Sequence, residues 1–254
     1  KYNEKVTALT HYNDSLFSFR ITRPDDLHFT PGQFIMIGLE IDQSSVMRAY
    51  SIASSTYDEE LEFYSIKIPD GELTSQLQNI KIGDDILMSA KAVGNLTIWD
   101  LRPGKRLYLF STGTGLAPFG SIIRDPDTYE KFEEVILTHT CRHIEDLKYG
   151  ADLIEASKKD PLCGENIQKK LRYYPTTTRE ESPYCGRITD LVSSSKISVD
   201  LNLPPVNNQT DRVMICGSME MVKDMVNILE NKGLSSSSGR NLGDIVFERA
   251  YVGQ

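Results

Sequence analysis

The feature that most constrains the fold is a glycine-rich turn between an apolar strand and the start of a helix. Gly113-Thr114-Gly115-Leu116-Ala117-Pro118 closely follows the run Leu107-Tyr108-Leu109-Phe110. Glycine at two of these positions permits tight turning and close approach of the backbone to a ligand. A helix starting at Ala117 aims the positive end of its dipole at the turn. Strand, glycine turn and helix in that order make the usual shape of a pyrophosphate cradle. Pro118 stands where a third glycine would complete the G-x-G-x-x-G pattern, so a β–α turn without ligand is the competing reading.

The pattern differs on the two sides of Arg102-Pro103-Gly104. Before it, Leu16–Ile21 and Leu61–Ile68 alternate with period two, and Gln33–Leu39 and Ile86–Ala90 are further β-rich runs. Pro31-Gly32, Pro69-Asp70-Gly71 and Gly83-Asp84 punctuate them. Short strands at regular spacing predict a small antiparallel barrel, with a short helix over Leu73–Leu77. Beyond Gly104, strands at Leu107–Phe110, Glu134–His139, Leu171–Thr176 and Arg212–Cys216 alternate with helices. The helices begin at Ala117 and cover Ala151–Ser157 and Met219–Asn231, the last stopped by Gly233. Such alternation predicts a parallel sheet with helices on both faces. The expected fold class is therefore two-domain: an antiparallel β-barrel over residues 1–101, followed by an α/β parallel-sheet nucleotide-binding domain over residues 102–254.

Composition narrows the function. The 254 residues suffice for two ordinary domains, and 39% hydrophobic with 25% charged residues describes a soluble globular protein. No run approaches the ~20 apolar residues of a membrane span, and no apolar signal region opens the sequence, so a cytoplasmic protein without membrane contact is expected. A net charge of −8 argues against nucleic acid as partner, yet allows a local basic patch for an acidic protein. Cys141, Cys163, Cys185 and Cys216 form no C-x-x-C pair, and the four histidines show no ligand spacing. Neither a metal site nor a chain-borne iron–sulfur cluster is expected, and the thiols read as reduced.

Further segments carry chemistry. Arg48-Ala49-Tyr50-Ser51 offers a planar cation for phosphate oxygens, an aromatic plate for a flat ring and a hydroxyl for a reactive ring nitrogen. Alone, the tetrapeptide reads as an exposed strand with ordinary alternation. Gly71-Glu72-Leu73-Thr74-Ser75 supplies amides and a hydroxyl at a helix start, an anion site or simply a capped helix. The two in succession are uncommon by chance. Arg142 follows Thr138-His139-Thr140-Cys141, where the ribose of a dinucleotide usually lies. Arginine there favours a 2′-phosphate, hence NADP over NAD. Arg179 and Arg187 lie in loop-like segments that could fold beside it, although each singly is an ordinary surface residue. Cys216-Gly217-Ser218 at a strand end places a thiol either against a nicotinamide or in the core. The aromatic segment Phe247–Gln254 either closes a sheet or returns over a cofactor.

Taken in order, Arg-x-Tyr-Ser, Gly-x-Leu-Thr-Ser, Gly-Thr-Gly-x-Ala-Pro, His-Thr-x-Arg, Cys-Gly-Ser and a Glu-x-Ala-aromatic tail resemble the bacterial ferredoxin/flavodoxin–NADP reductases over essentially the whole chain. The resemblance implies tightly bound FAD, NADP(H) as substrate, and ferredoxin or flavodoxin as partner of a monomeric enzyme. NADPH would give a hydride to FAD, and reduced FAD would release electrons singly. Arg48 would bind the FAD pyrophosphate with Gly71, Leu73, Thr74 and Ser75. Tyr50 would stack on the isoalloxazine with Ser51 near N5, and Ala49 and the strand Phe63, Tyr64, Ser65, Ile66 and Lys67 would line the site. Thr112, Gly113, Thr114, Gly115, Leu116, Ala117 and Pro118 would hold the NADP pyrophosphate, and Arg142, Arg179 and Arg187 its 2′-phosphate. Cys216, with Gly217 beside it, and Glu248 would join Ser51 in shaping hydride transfer. Plastid-type relatives end in a tyrosine over the flavin. Here Ala250 takes that place, Tyr251 would cover the adenine, and the chain continues to Gln254. A related NAD(P)H–flavin or ferric reductase, and a non-enzymatic flavin-binding redox module, are the alternatives.

Overall fold

Period-two alternation builds the first sheet of the computed structural model, which describes residues 1–250. Its strands are β1 (Tyr2–His11), β2 (Leu16–Thr22), β3 (Phe34–Ile41), β4 (Ser44–Ser51), β5 (Glu60–Ile66) and β6 (Asp85–Met88). They run antiparallel in the order β4-β3-β6-β1-β2-β5. Asn13 Oδ1 accepts from the amides of Ser15 and Leu16 and so closes the β1–β2 turn. Asp42 and Gln43, at φ 48° and 63°, form the two-residue β3–β4 turn, whose twist matches the flanking strands. The edge strands β4 and β5 meet, because Tyr50 Oη lies 3.1 Å from Ser65 Oγ and the Ala53 amide donates to Glu62 O at 2.9 Å. The sheet thereby curls into the antiparallel barrel expected from sequence. Phe17, Phe19, Ile35, Ile37, Phe63 and Ile86 fill its core, and helix α1 (Thr74–Leu77) adds Leu77.

The second sheet is wholly parallel, in the order β11-β10-β7-β8-β9. Its strands are β7 (Arg106–Thr112), β8 (Glu134–Cys141), β9 (Leu171–Thr177), β10 (Asp211–Gly217) and β11 (Ile245–Arg249). The helices are α2 (Ala117–Ile122), α3 (Pro126–Lys131), α4 (Lys148–Ser157), α5 (Gly164–Lys170), α6 (Ile188–Ser193), α7 (Lys196–Asp200) and α8 (Met219–Asn231). Tyr108, Phe110, Ile136, Val213 and Ile215 bury one face against residues of α6, α7 and α8. Leu107, Leu109, Val135, Leu137 and Met214 alternate with them, point to the opposite face, and are as fully buried. Both faces are therefore covered, as a parallel sheet requires. Gly233, at φ 88°, closes α8 by donating to Glu230 O, while Leu234 donates to Leu229 O.

The described chain divides into two compact units. One comprises Lys1–Gly94 with Ala117–Ile122, the other Asn95–Leu116 with Ile123–Ala250. The segment around Arg102 is tied into the second unit by buried charge. Asp244, 1% exposed, pairs with Arg102 at 2.8 Å and with Arg212 at 3.2 Å. Arg212, itself buried, also donates to the carbonyls of Arg102, Pro103 and Asn208. A Cβ on Gly104 would lie 2.6 Å from Arg212 Cγ, so only glycine lets the chain pass over this side chain.

Strand β1 and helices α3, α5, α6 and α7 are additions to the elements expected from sequence. The four helices have five to seven residues each, under two turns, too short to display a period of 3.6. Strand β1 has one fully buried residue, Val6, so its alternation is weak. No helix among the described residues is long and apolar enough to cross a membrane.

Removing Asp244 leaves the Arg212 charge buried without its counter-ion. Asp244→Ala is therefore expected to destabilise the fold by about 3–5 kcal/mol, measured by urea unfolding. A loss below about 1 kcal/mol would remove this pair from the framework.

Candidate functional site

The first candidate cluster lies on β4, β5 and α1. The pleat places Arg48 and Tyr50 on one face of β4 and Ala49 and Ser51 on the other. Tyr50 is held at both ends: its hydroxyl meets Ser65 Oγ, and its ring packs edge-on against Phe63 at 6.3 Å. Burial pushes its phenol pKa up, so it stays protonated. Arg48 donates to Met47 O and forms an ion pair with Glu72, whose side chain is 60% exposed. An exposed pair of this kind contributes about 0–1 kcal/mol and yields readily to a doubly charged phosphate. A Cβ on Gly71 would fall 2.1 Å from Thr74 Oγ1, so glycine is required where the chain enters α1. Thr74 Oγ1 donates to Ile68 O, which fixes its rotamer, and the Ser75 amide donates to Gly71 O. Leu73 is buried in the barrel core. Tyr64 and Ser65 are buried on β5; Ser65 Oγ donates to Ile66 O, and Lys67 Nζ reaches Asn13 O at 2.6 Å.

The second cluster sits where the strand order of the parallel sheet reverses. β8 and β9 follow β7 on one side, and β10 and β11 lie on the other, so the carboxyl ends of β7 and β10 flank a topological switch point, the place where α/β sheets bind nucleotides. Thr112 ends β7, and its Oγ1 accepts from the Ser218 amide at 3.2 Å. Gly113, at φ 53°, has nothing within 4 Å of the place a Cβ would take. The residues Gly113–Leu116, Thr114 among them, form a 3-10 turn that runs on into α2 with Ala117 and Pro118. A Cβ on Gly115 would lie 2.2 Å from Cys216 O, and one on Gly217 would lie 2.2 Å from Thr112 Oγ1. Gly115 lets the turn after β7 meet the backbone at the end of β10, and Gly217 leaves room there for the Thr112 hydroxyl.

Three arginines gather at the far side of this sheet end. Arg179 N donates to Arg142 O at 3.0 Å, which continues the β8–β9 pairing and sets these two residues side by side. Gly186 N donates to Thr177 O, which folds the intervening loop back and returns Arg187 to the start of α6. All three are exposed, and none makes an ion pair among the described residues. Three unpaired guanidinium groups on adjoining segments suit a terminal phosphate better than a ribose hydroxyl.

Cys216 and Glu248 are direct partners in the β10–β11 register and share a sheet face. The Ala250 amide donates to Gly217 O at 2.9 Å, so the pairing runs one residue past β11. Burial, with the Glu248 carboxylate beside it, raises the Cys216 thiol far above its ordinary pKa, which keeps it neutral. Burial also lifts the Glu248 carboxyl to about 7, and its Oε2 has no hydrogen-bond partner among the described residues. Tyr251 lies outside the described residues.

The residues fit two nucleotides: an arginine, an anchored tyrosine and a glycine-entered helix start on the barrel, and a glycine turn with three unpaired arginines on the parallel sheet. Residues 4–96 match the model of an oxidoreductase FAD-binding domain, and residues 109–227 that of an oxidoreductase NAD-binding domain. The sequence is 52% identical to the flavodoxin/ferredoxin–NADP reductase of Rhodobacter capsulatus, over 99% of this chain and 93% of the relative. The chain belongs to the ferredoxin–NADP reductase family. The ferredoxin–NADP reductase of Pseudomonas aeruginosa is 50% identical over 99% of this chain and 98% of its own. Among solved structures, a ferredoxin NADP+ reductase from Neisseria gonorrhoeae with bound FAD and NADP superposes with a TM-score of 0.89 at 31% identity, covering 98% of both chains.

Two groups that stand in the motifs without a role assigned to them from sequence are Glu72, which steadies Arg48, and His139, whose Nε2 lies 3.0 Å from Gly113 O. Glu72 adjoins Gly71 in a motif already noticed, whereas nothing local marks His139 as a partner of Gly113.

Gly115→Ala drives a Cβ into backbone and is expected to cost about 1–3 kcal/mol or more in chemical unfolding. Gly113→Ala meets no atom and bears only the left-handed conformation, about 1–2 kcal/mol. The reverse order would discount the backbone contact. The raised Glu248 pKa makes its stabilising contribution complete at acid pH and lost as pH rises through about 7. Glu248→Gln should therefore melt near the parent at pH 5 and above it at pH 8; parallel melting curves across that range would place the carboxyl in water.

Proposed function

We propose that this chain is an FAD-dependent ferredoxin/flavodoxin–NADP reductase, with residues 1–101 as the FAD-binding domain and residues 102–254 as the NADP(H)-binding domain. The observation that carries the reading is the pairing in one chain of an Arg48–Tyr50–Thr74 cluster on a barrel with a glycine turn and three unpaired arginines at a parallel-sheet switch point. Relatives about half identical over nearly the whole chain support it, since they are named for both the carrier and the nucleotide.

When bound, the flavin supplies the conversion of a two-electron hydride donor into single-electron steps. The protein's own residues bind and orient. Arg48 neutralises pyrophosphate charge, and Thr74 and the amides near it complete that site. Tyr50, fixed by Ser65 and Phe63, offers a rigid aromatic face. Arg142, Arg179 and Arg187 discriminate for the 2′-phosphate, each through charge-assisted hydrogen bonds that NADH cannot make. Cys216 acts by shape, because its thiol stays protonated. Glu248 holds a proton near neutral pH beside it. Ser51 orients the reacting ring through its hydroxyl. The carrier is a small acidic redox protein, ferredoxin or flavodoxin, and the enzyme works as a cytoplasmic monomer.

An anaerobic titration of the FAD-loaded protein tests the reading: NADPH should bleach the oxidised flavin band at far lower concentration than NADH. A protein that cannot be loaded with FAD, or a yellow one indifferent to both nucleotides, would overturn it. Ser51→Ala should slow flavin reduction at least tenfold while retaining FAD, followed by stopped flow; an unchanged rate removes Ser51 from the mechanism. Replacing Arg142 and Arg179 together by Ala should weaken NADPH by about 3–6 kcal/mol, a sum of two charge-assisted bonds, and leave NADH within a factor of about three; equal losses reject the 2′-phosphate assignment.

A further inference from the structure

Beneath the glycine turn lies a buried polar cluster to which none of the roles above is given. His139, on β8, is fully buried. Its Nε2 faces the carbonyl of Gly113 at 3.0 Å and Cys141 Sγ at 3.2 Å. The Cys141 thiol donates to Asp146 O at 3.6 Å, so its sulfur turns lone pairs toward the ring. Both neighbours of Nε2 are thus acceptors, and the ring proton belongs on Nε2. On the other side, His139 Nδ1 and Tyr173 Oη are buried without hydrogen-bond partners among the described residues. Both point at one place: a Cβ on Gly150 would lie 2.8 Å from the first and 2.6 Å from the second. Burial lowers the imidazole pKa to about 4, so the ring is neutral throughout the physiological range.

The consequence reaches the turn through peptide geometry. In a trans peptide the carbonyl of one residue and the amide of the next point in opposite directions. Holding the Gly113 carbonyl inward on His139 therefore turns the Thr114 N–H outward, away from the sheet. Gly113 has no side chain of its own to help hold this peptide, and no described atom lies within 4 Å of where one would begin.

We propose that His139 is a positioning residue for the dinucleotide pyrophosphate: its neutral Nε2–H fixes the Gly113–Thr114 peptide so that the Thr114 amide faces the phosphates. The inference rests on the assignment of the glycine turn to NADP(H). His139 touches no ligand and acts only through the peptide it holds.

The test uses the FAD-loaded protein and binding rather than turnover. Dissociation constants for NADP+ and for adenosine 2′-phosphate, which has no pyrophosphate, are measured by calorimetry for the parent, His139→Leu and His139→Gln. His139→Leu should weaken NADP+ about tenfold and leave adenosine 2′-phosphate within twofold. His139→Gln, whose terminal amide can donate from near the Nε2 position, should recover NADP+ binding to within threefold of the parent. Steady-state KM for NADPH should rise with the leucine variant while kcat at saturation changes less than twofold. Equal weakening by leucine and glutamine, or equal weakening of both ligands, would overturn the proposal and assign His139 to packing. If His139→Leu does not fold, parent-like NADP+ binding by His139→Gln upholds it and tenfold-weaker binding sinks it. A parent protein that binds adenosine 2′-phosphate and NADP+ not at all would instead refute the nucleotide reading itself, and the proposal with it.

Discussion

The nucleotide-binding half of this protein depends on one close approach: the turn after β7 lies backbone to backbone against the end of β10. Gly115 has the Cys216 carbonyl where a side chain would begin, and Gly217 has Thr112 Oγ1 in the same relation. Any larger residue at either position would push the two strand ends apart. Because the order of strands reverses between β7 and β10, that separation would open the switch point at which the phosphates are proposed to rest. Glycine is used here for space, and at Gly113 for its backbone conformation, two different demands met within three residues.

Charge is used in two contrasting ways. Asp244 and Arg212 are buried together, as are Asp211 and the largely buried Arg106, paired at 2.8 Å. Such pairs add little net stability over apolar residues, yet breaking one leaves a charge in a medium that cannot solvate it. They therefore specify where the segment around Arg102 runs. Arg142, Arg179 and Arg187 are exposed and carry no acidic partner among the described residues. Their charge is uncommitted within the chain and suits an anion brought from outside.

Much of the fold was legible because its signals are local. Strands β2, β3 and β5 and helix α8 have alternations or periods that survive inspection of a dozen residues. The short helices α3, α5, α6 and α7 were not legible, since fewer than two turns cannot show a face. The candidate site residues were legible to the extent that phosphate and ring binding demand particular residue types in order. Their supports were not. Glu72 meets Arg48 across 24 residues of sequence, Ser65 meets Tyr50 across 15, and Gly113 meets His139 across 26. A histidine in an apolar strand reads as core, and only its neighbour across the sheet reveals what it holds.

By itself the sequence determined the element types, the change from antiparallel strands to alternating strands and helices, and the motifs that suit two nucleotides. These follow from side-chain periodicity, from turn residues and from the chemistry of single side chains, all of which act over a few positions. The tertiary structure alone decided the strand order that brings β7 and β10 together, the register that seats Glu248 beside Cys216, and the contact of His139 Nε2 with the Gly113 carbonyl. Those outcomes depend on hydrogen bonds and excluded volume between residues distant in the chain. Such contacts acquire an energy only once the strands are paired, so they leave no local pattern to read.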